Sequence, residues 1–275
     1  MLGHLIDLAK AGGAIARNHF AKVAATEVIE KSARDYVSHV DRAVEDAIVR
    51  RIRARHPDHA ILGEEGVDAV AGDAARALWI IDPIDGTTNF IRGIPLYAVS
   101  IAFIDHGRPR FACVYDPSRD ECFTAENGAG LWLNGERRYT SGRTDLGKAV
   151  LASALPFRFP QCLPDALATF GAIQLACDDH RRSGSAALDM AWTAVGRLDG
   201  YYELGIYPWD VAAGEILVRA GGGMASDLSG YEPEVTARRG SLAAATAELH
   251  RALLTRVGAL AGWAKRPPFA GPPRT

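Results

Sequence analysis

No apolar run in this chain of 275 residues approaches the roughly 18 residues that a membrane-crossing helix needs. The opening segment, MLGHLIDLAKAGGAIARNHF, has Asp7 inside its apolar stretch and no basic residue ahead of it, so it reads as a helix and not as a signal peptide. Cysteine is scarce. Cys113, Cys122, Cys162 and Cys177 show no CxxC spacing and are too few to staple a chain of this length, which favours reduced thiols and a cytoplasmic location. A surplus of one charge is also missing: 31 Lys plus Arg stand against 33 Asp plus Glu, for a formal net charge of −2. Proteins that coat nucleic acid carry a clear basic excess, so neither nucleic acid nor membrane is expected as a partner.

Several common catalytic signatures are absent as well. There is no HExxH, and His56 and His59 flank Pro57, so they cannot share a regular helical face; zinc is not expected. No GxSxG marks a nucleophile elbow. GRTDLGKA at 142–149 nearly spells a P-loop but ends in Ala149, which has no hydroxyl to hold magnesium, and it reads as an inter-domain loop. Asp82-Pro-Ile-Asp85-Gly86 is not an EF-hand, because Ile84 and Gly86 occupy positions that calcium needs as oxygen ligands.

What is present is ordinary globular composition, 48% hydrophobic and 23% charged, in a length that suits one large domain or two sharing a core. Leu2, Leu5, Ile6, Ala9 and Ile15 recur at helical spacing, with Gly12 and Gly13 weakening the middle. A second helix is predicted after Ser38, with Val40, Val44, Ala47, Ile48 and Ile52 on one face and His56-Pro57 as its stop. Strands are predicted at Ala60–Leu62 and at Leu78–Ile81, the latter ending at Asp82-Pro83. From Leu96 to Thr140 short strand patterns alternate with turn-formers, which predicts antiparallel strands in one sheet. After Gly142 the pattern becomes strand AVLASA, helix LPDALATFGAIQLA, helix SAALDMAWTAVGRL ended by Asp199-Gly200, strand YYELG, and helix DVAAGEILVRAGG. The expectation is an α/β protein with an N-terminal α+β half (1–146), a C-terminal α/β half (147–262) and a loose proline-rich tail (263–275).

The chemistry concentrates in Trp79-Ile-Ile-Asp82-Pro-Ile-Asp85-Gly86-Thr87-Thr88-Asn89-Phe90. An apolar strand delivers Asp82, Asp85 follows three residues on, and Gly-Thr-Thr opens a short helix whose free N–H groups suit a phosphate. No Lys or Arg lies between Trp79 and Ile91. Two carboxylates ~4 Å apart repel by roughly 4 kcal/mol at an effective dielectric near 20, so converging acids here call for cations. Oxygen ligands without His or Cys select a hard ion, and magnesium is the natural choice. Glu64 in Gly63-Glu64-Glu65-Gly66 and Asp210 in Pro208-Trp209-Asp210 are further acids at element ends. Residue type alone leaves other readings open: turn-forming Asp82 and Asp85, a solvated turn for Glu64, a helix N-cap for Asp210.

GEEG, WIIDPIDGTTNF and PWDVAAGEILVRAGG, in that order, together resemble the inositol monophosphatase family of magnesium-dependent, lithium-sensitive phosphatases. KSARDYVSHVD (31–41) and SGSAALDMAWTAVGRLDGYYELG (183–205) also resemble its blocks, so the likeness runs through most of residues 1–260. It implies a layered αβαβα sandwich and a homodimer. It further implies a first magnesium on Glu64, Asp82 and the Ile84 carbonyl, and a second on Asp82, Asp85 and Asp210. A weaker third ion would sit near Glu64 through water. Gly86 and Thr87 would offer N–H groups to the phosphate, and the Thr87 hydroxyl, oriented by Asp41, would position or deprotonate the attacking water. Glu203 and Asp85 would meet substrate hydroxyls, with Asp210 and the backbone at Gly184, Ser185 and Ala186 also lining that pocket. The implied substrate is a small phosphate ester, inositol monophosphate first. Histidinol phosphate, fructose 1,6-bisphosphate and nucleotide 3′-phosphates are alternatives, as is a regulatory protein that keeps the fold and binds a partner. Tyr207-Pro208 stands where the animal inositol enzymes carry His-Cys.

Overall fold

The computed structural model describes residues 1–22, 28–32, 35–66, 77–157, 159–232 and 239–264. Most of the predicted proline-rich tail, from residue 265 on, lies outside the described residues, as do Ala33 and Arg34 of the KSARDYVSHVD block. Helix α1 (Leu2–His19) is followed by a hairpin of β1 (Val28–Ser32) and β2 (Asp35–Ser38) that the sequence pattern did not reveal. Helix α2 (His39–Arg55) begins as predicted at Ser38, whose hydroxyl accepts the Val40 N–H at 3.2 Å. Gly13 weakens α1 as an isolated helix but serves its packing. A Cβ there would meet the Tyr115 ring at 2.5 Å, so glycine is what lets the helix lie close on the sheet.

That sheet has seven strands: β3 (Ala60–Gly63), β4 (Ala77–Asp85), β5 (Ala98–Asp105), β6 (Arg108–Asp116), β7 (Glu121–Glu126), β8 (Gly130–Leu133) and β9 (Glu136–Arg138), in spatial order β3-β4-β5-β6-β7-β8-β9. β3 and β4 are parallel; β5 to β9 form the predicted antiparallel run, and β4 joins it antiparallel to β5. Short helix α3 (Thr87–Ile91) follows β4 directly. The P-loop look-alike is a plain connection: it holds one 3₁₀ turn, Leu146–Lys148, and leads into a strand instead of a helix.

The second sheet has five strands in the order β11-β10-β12-β14-β13, from β10 (Val150–Ala154), β11 (Asp179–Arg181), β12 (Gly200–Leu204), β13 (Met224–Ser226) and β14 (Gly240–Ala244). β10 pairs in parallel with both β11 and β12, whereas β14 is antiparallel to β12 and β13. Around it run α4 (Leu163–Gln174), α5 (Ala186–Ala194), α6 (Pro208–Ala220) and α7 (Ala247–Ala264). α5 is shorter than the pattern implied. It stops at Ala194, and the predicted stop residues do other work: Asp199 accepts the Val150 N–H at 2.8 Å, and Gly200 opens β12.

Three apolar cores define five layers. α1 and α2 pack on the outer face of the large sheet, around Leu8, Ile48, Trp79 and Ile101. α5 and α6 fill the space between the two sheets, around Phe123, Met190, Tyr201 and Leu217. α4 and α7 cover the far side of the small sheet, around Leu151, Ile173, Leu242 and Leu253. This is the αβαβα sandwich expected from the sequence. None of the helices among the described residues is long and apolar enough to cross a membrane.

Candidate active site

β4 does not stop at Asp82-Pro83. It pairs onward, with Asp82 opposite Ser100 and Asp85 opposite Ala98, so three steps along β4 match two along β5. Pro83 sits in this bulge, where its missing N–H interrupts no ladder bond that a regular strand would need. The bulge has a second effect. In a regular strand, side chains three residues apart point to opposite faces, and one extra residue restores the same face. Asp82 and Asp85, both buried, thereby turn to one side.

Asp210 reaches that side from α6. It is the third residue of the helix and not its N-cap, which is Tyr207; its Oδ2 accepts the Tyr207 N–H at 2.7 Å, so it satisfies the helix start from inside the first turn. One oxygen each of Asp82, Asp85 and Asp210 lie within 4.8 Å of one another. Glu64 follows β3, where its N–H meets the Ile81 carbonyl at 3.3 Å, and with Ile84 it lines the same cavity of about 550 Å³.

Behind the cavity floor, Asp41 on α2 uses its two oxygens differently. Oδ2 accepts the Ser38 N–H at 2.9 Å and the Ser38 hydroxyl at 2.6 Å, while Oδ1 lies 3.3 Å from the Thr87 hydroxyl. That hydroxyl is also 3.0 Å from the Ile84 carbonyl, so its single proton has two acceptors to choose between. Gly86, at φ +92°, makes the left-handed turn from β4 into α3 that a side-chain-bearing residue adopts only under strain. Asp41 does not line the cavity; its contact with it is the hydrogen bond from Thr87.

The opposite wall comes from the small sheet and α5. Asp85 Oδ2 accepts from the Ser185 hydroxyl and, at 2.8 Å, from the Ala187 N–H. Gly184, Ser185, Ala186 and Glu203 all line the cavity, and Tyr201 donates to Glu203 Oε2 at 2.7 Å. Each predicted site residue except Asp41 therefore borders one space.

Burial pushes Asp41, Asp82 and Asp85 upward. Asp85 is raised to about 7, chiefly by burial and further by Glu203 and Glu64, with the Ser185 and Ala187 donors pulling the other way. Asp82 stands well above the carboxylate range through burial and repulsion from Glu64, Asp85 and Asp210. Burial also raises Asp41 to about 6, against the pull of Ser38. Buried acids that repel one another, with oxygen as their only donor atom, fit a hard divalent cation, which would relieve both terms at once. Among the described residues, this is the one cluster of three or more acids, histidines or cysteines close enough to share an ion.

Sequence reasoning missed four contributors. Asn89 donates to the Leu96 and Ser183 carbonyls at 2.7 and 2.9 Å, tying α3 to the Ser183–Ser185 turn; it stood four residues after Asp-Pro-Ile-Asp without a role. Arg92 and Arg182 line the cavity and bring positive charge to an acidic site, although no spacing rule linked them to it. Asp189, buried with an unpartnered Oδ1, lies under the Glu203 side, and a lone acid on an apolar helix face was its only signal.

Comparison with known proteins agrees with this geometry. The inositol monophosphatase family model matches residues 1–260. The Nus factor SuhB of Escherichia coli (strain K12) is 46% identical over 221 residues, 80% of this chain and 82% of that protein. The Nus factor SuhB of Pseudomonas aeruginosa is 42% identical over 261 residues, 94% of this chain and 95% of that one. Among solved structures, the extragenic suppressor protein suhB from Bartonella henselae is 32% identical with a TM-score of 0.87, covering 93% of this chain and 97% of its own. An IMPase from Thermotoga maritima is also 32% identical, with a TM-score of 0.83 over 94% of this chain and 97% of its own. With the bulged Asp-Pro-Ile-Asp strand, the capping Asp210 and a match over nearly the whole chain all in agreement, the protein belongs to the inositol monophosphatase family.

Proposed function

We propose that this protein is a magnesium-dependent phosphomonoesterase that hydrolyses inositol monophosphate to inositol and phosphate. The observation that carries the reading is the meeting of Asp82, Asp85 and Asp210, delivered by a bulged strand and a separate helix, beside the N-terminus of α3. Glu64, Asp82 and the Ile84 carbonyl would hold one magnesium, and Asp82, Asp85 and Asp210 a second, with a weaker third near Glu64. Bound there, magnesium supplies charge neutralisation at the phosphoryl and leaving oxygens and lowers the pKa of water.

The chain's own groups do the rest. Gly86 and Thr87 present N–H groups to the phosphate at the start of α3. The Thr87 hydroxyl, between Asp41 and the Ile84 carbonyl, passes its proton toward Asp41 while its oxygen accepts from the attacking water. Asp41 is suited to that share of the proton because burial already favours its protonated form. Glu203, fixed by Tyr201, and Asp85, fixed by Ser185 and Ala187, accept from substrate hydroxyls, with Gly184, Ser185 and Ala186 shaping the wall. Among the described residues no cysteine or histidine borders the cavity, in keeping with direct attack by water.

Lithium sensitivity, a homodimer and a division of the chain near residue 146, where the Leu146–Lys148 turn joins the two sheets, belong to the same reading. A cytoplasmic location is supported by four free cysteines. A second role, as a Nus factor, is favoured by the name its relatives carry; the acidic cluster leaves room for both. The test is phosphate release by purified protein from inositol 1-phosphate, histidinol phosphate, fructose 1,6-bisphosphate and adenosine 3′,5′-bisphosphate, with and without magnesium. Inositol 1-phosphate should give the highest kcat/KM. No magnesium-dependent release from any of the four would leave the partner-binding role standing alone.

A further inference from the structure

Helix α2 places a second acid one turn after Asp41, and it too is buried: Glu45 is 4% exposed. A carboxyl on the core-facing side of a helix is costly to bury and needs donors in compensation. Glu45 finds one across 20 residues of sequence, accepting the Glu65 N–H with Oε2 at 3.0 Å. It also lies flat on the preceding backbone. A Cβ at Gly63 would come within 2.7 Å of the Glu45 carboxyl carbon, so glycine at 63 gives the carboxyl its seat. Glu45 thus holds the chain on both sides of Glu64, touching the residue before it and bonding the residue after it. The Ile81 carbonyl takes the Glu64 N–H itself at 3.3 Å, which leaves the side chain of Glu64 toward the cavity.

From this we infer that Glu45 is a positioning residue for the metal site: it fixes the Gly63–Gly66 turn so that the Glu64 carboxylate meets the first magnesium. Side chains four apart on a helix are stacked one turn, about 6 Å, along one face. On α2 that spacing sets Asp41 against Thr87 and Glu45 against the Glu64 turn, so one rigid helix registers the proton acceptor and the metal ligand relative to each other. The inference rests on the proposed role of Glu64 as a magnesium ligand.

Magnesium binding to the substrate-free protein, by calorimetry, and the magnesium half-saturation of phosphate release would be measured for E45A, E45Q, E45D and E64Q. Gln keeps an acceptor oxygen at full reach; Ala removes it and Asp withdraws it by one methylene. E45A and E45D should weaken magnesium binding about 10–100-fold, as loss of a group that orients a ligand does. Their kcat at saturating magnesium should fall far less, and E45Q should recover most of the affinity. A merely structural role would lower thermal stability without moving magnesium half-saturation apart from kcat. Wild-type magnesium affinity in folded E45A or E45D, or E45Q as weak as E45A, would overturn the inference. If E45A fails to fold, the contrast of E45Q with E45D decides between the two roles. E64Q keeps the two ideas apart: unchanged magnesium binding in E64Q overturns the ligand role itself, whereas a loss in E64Q with none in E45D overturns only the role of Glu45.

Discussion

Strand β4 carries a polar cluster at each end, half-buried at the start and buried at the finish, and the two solve the same physical problem in opposite ways. Near its start, Trp79 donates its Nε1–H to His59 Nδ1 at 3.0 Å, and the rings of His4 and His56 pack against the same indole at 5.9 and 5.8 Å. Burial lowers the pKa of all three histidines, so near pH 7 they are neutral rings; His4 Nε2 lacks a hydrogen-bond partner, but the cluster carries no charge for an ion to neutralise. At the other end, burial raises Asp82 and Asp85, and near pH 7 those carboxyls are held against ionisation by their surroundings and by each other. Burial drives both clusters toward neutrality. Only the acids leave charge to be neutralised at working pH, and a cation would supply that neutralisation. A polar cluster announces chemistry when its neutral form is the wrong one for the pH.

The sharpest way to break this contrast is at Asp85. D85N removes one charge but keeps the size of the side chain, so turnover should fall about 10³-fold or more, roughly 4 kcal/mol of transition-state stabilisation. The magnesium-free protein should melt no lower than wild type, because repulsion within the cluster is relieved. Steady-state kinetics and a melt in chelator check the pair of outcomes; near-normal kcat/KM at saturating magnesium would remove Asp85 from the mechanism.

Thr87 comes next in expected size. T87V should cost ~10²-fold in kcat, within the range for loss of an aligned proton-transfer group. T88V, a change of the same size one residue on, should cost little, because none of the bonds found at the Thr87 hydroxyl is at stake. Equal losses in the two variants would separate Asp41 from the reaction.

How much of this is legible in the sequence differs between the two ends of the strand. The acids are visible because Asp-Pro-Ile-Asp-Gly-Thr is particular and because their neighbours in sequence offer no counter-charge. Their convergence is not, since it depends on the β4 bulge and on a helix that starts more than a hundred residues later. The histidines of the other cluster are set aside as zinc ligands on the ground that Pro57 keeps His56 and His59 off one helix. The structure stacks those two rings at 4.5 Å all the same, outside any helix, with their shared neighbour Trp79 as the reason. The five-layer sandwich follows from the resemblance, and most of its helices from periodicity. β1, β2, β11, β13 and β14 escape notice because strands of three to five residues carry too few alternations to register, and helix α7 is not read from the sequence either. Glu45 escapes for a different reason: nothing in a helix sequence tells a buried acid from a solvated one.

Magnesium and pH together sharpen the contrast further. The folded-state pKa of Asp85, about 7, exceeds the ordinary carboxylate value, so without metal its contribution to stability is fully present at low pH and is lost as pH rises through 7. Asp82 has the same sign. Magnesium binds the ionised form, so its stabilising effect should grow over that interval. At 100 times Kd a ligand stabilises by about 2.7 kcal/mol. The shift in melting temperature on adding magnesium should thus be several degrees at pH 7.5 and much smaller at pH 5, as read by calorimetry. A shift of equal size at both pH values would mean that the ion binds without displacing protons from this cluster.

The smallest effect belongs to the histidine end, and it carries the comparison's control. His59 accepts the Trp79 N–H, and H59F removes the acceptor while keeping a ring of similar breadth beside Phe103, which lies 5.7 Å away. Trp79 is fully buried, so its N–H would lose its partner at a cost of about 1–2 kcal/mol, or a few degrees in melting temperature. The variant should also change the acid side of the stability curve. The pKa of His59 in the folded protein lies below its ordinary value, so its contribution is present above about pH 6.5 and lost as pH falls further. Asp58 and Asp105 face it and oppose that loss in part, while Arg55 and the amino terminus act on His4 and His56 with the opposite sign. Removing His59 should flatten the decline below pH 6 and leave kcat and magnesium half-saturation as they are. A melt series from pH 4.5 to 8 in chelator, alongside magnesium-dependent kinetics, reads both. A changed magnesium half-saturation in H59F would show that the two ends of β4 are one coupled system, and the contrast between a cluster that is neutral by itself and one that calls for a cation would fall.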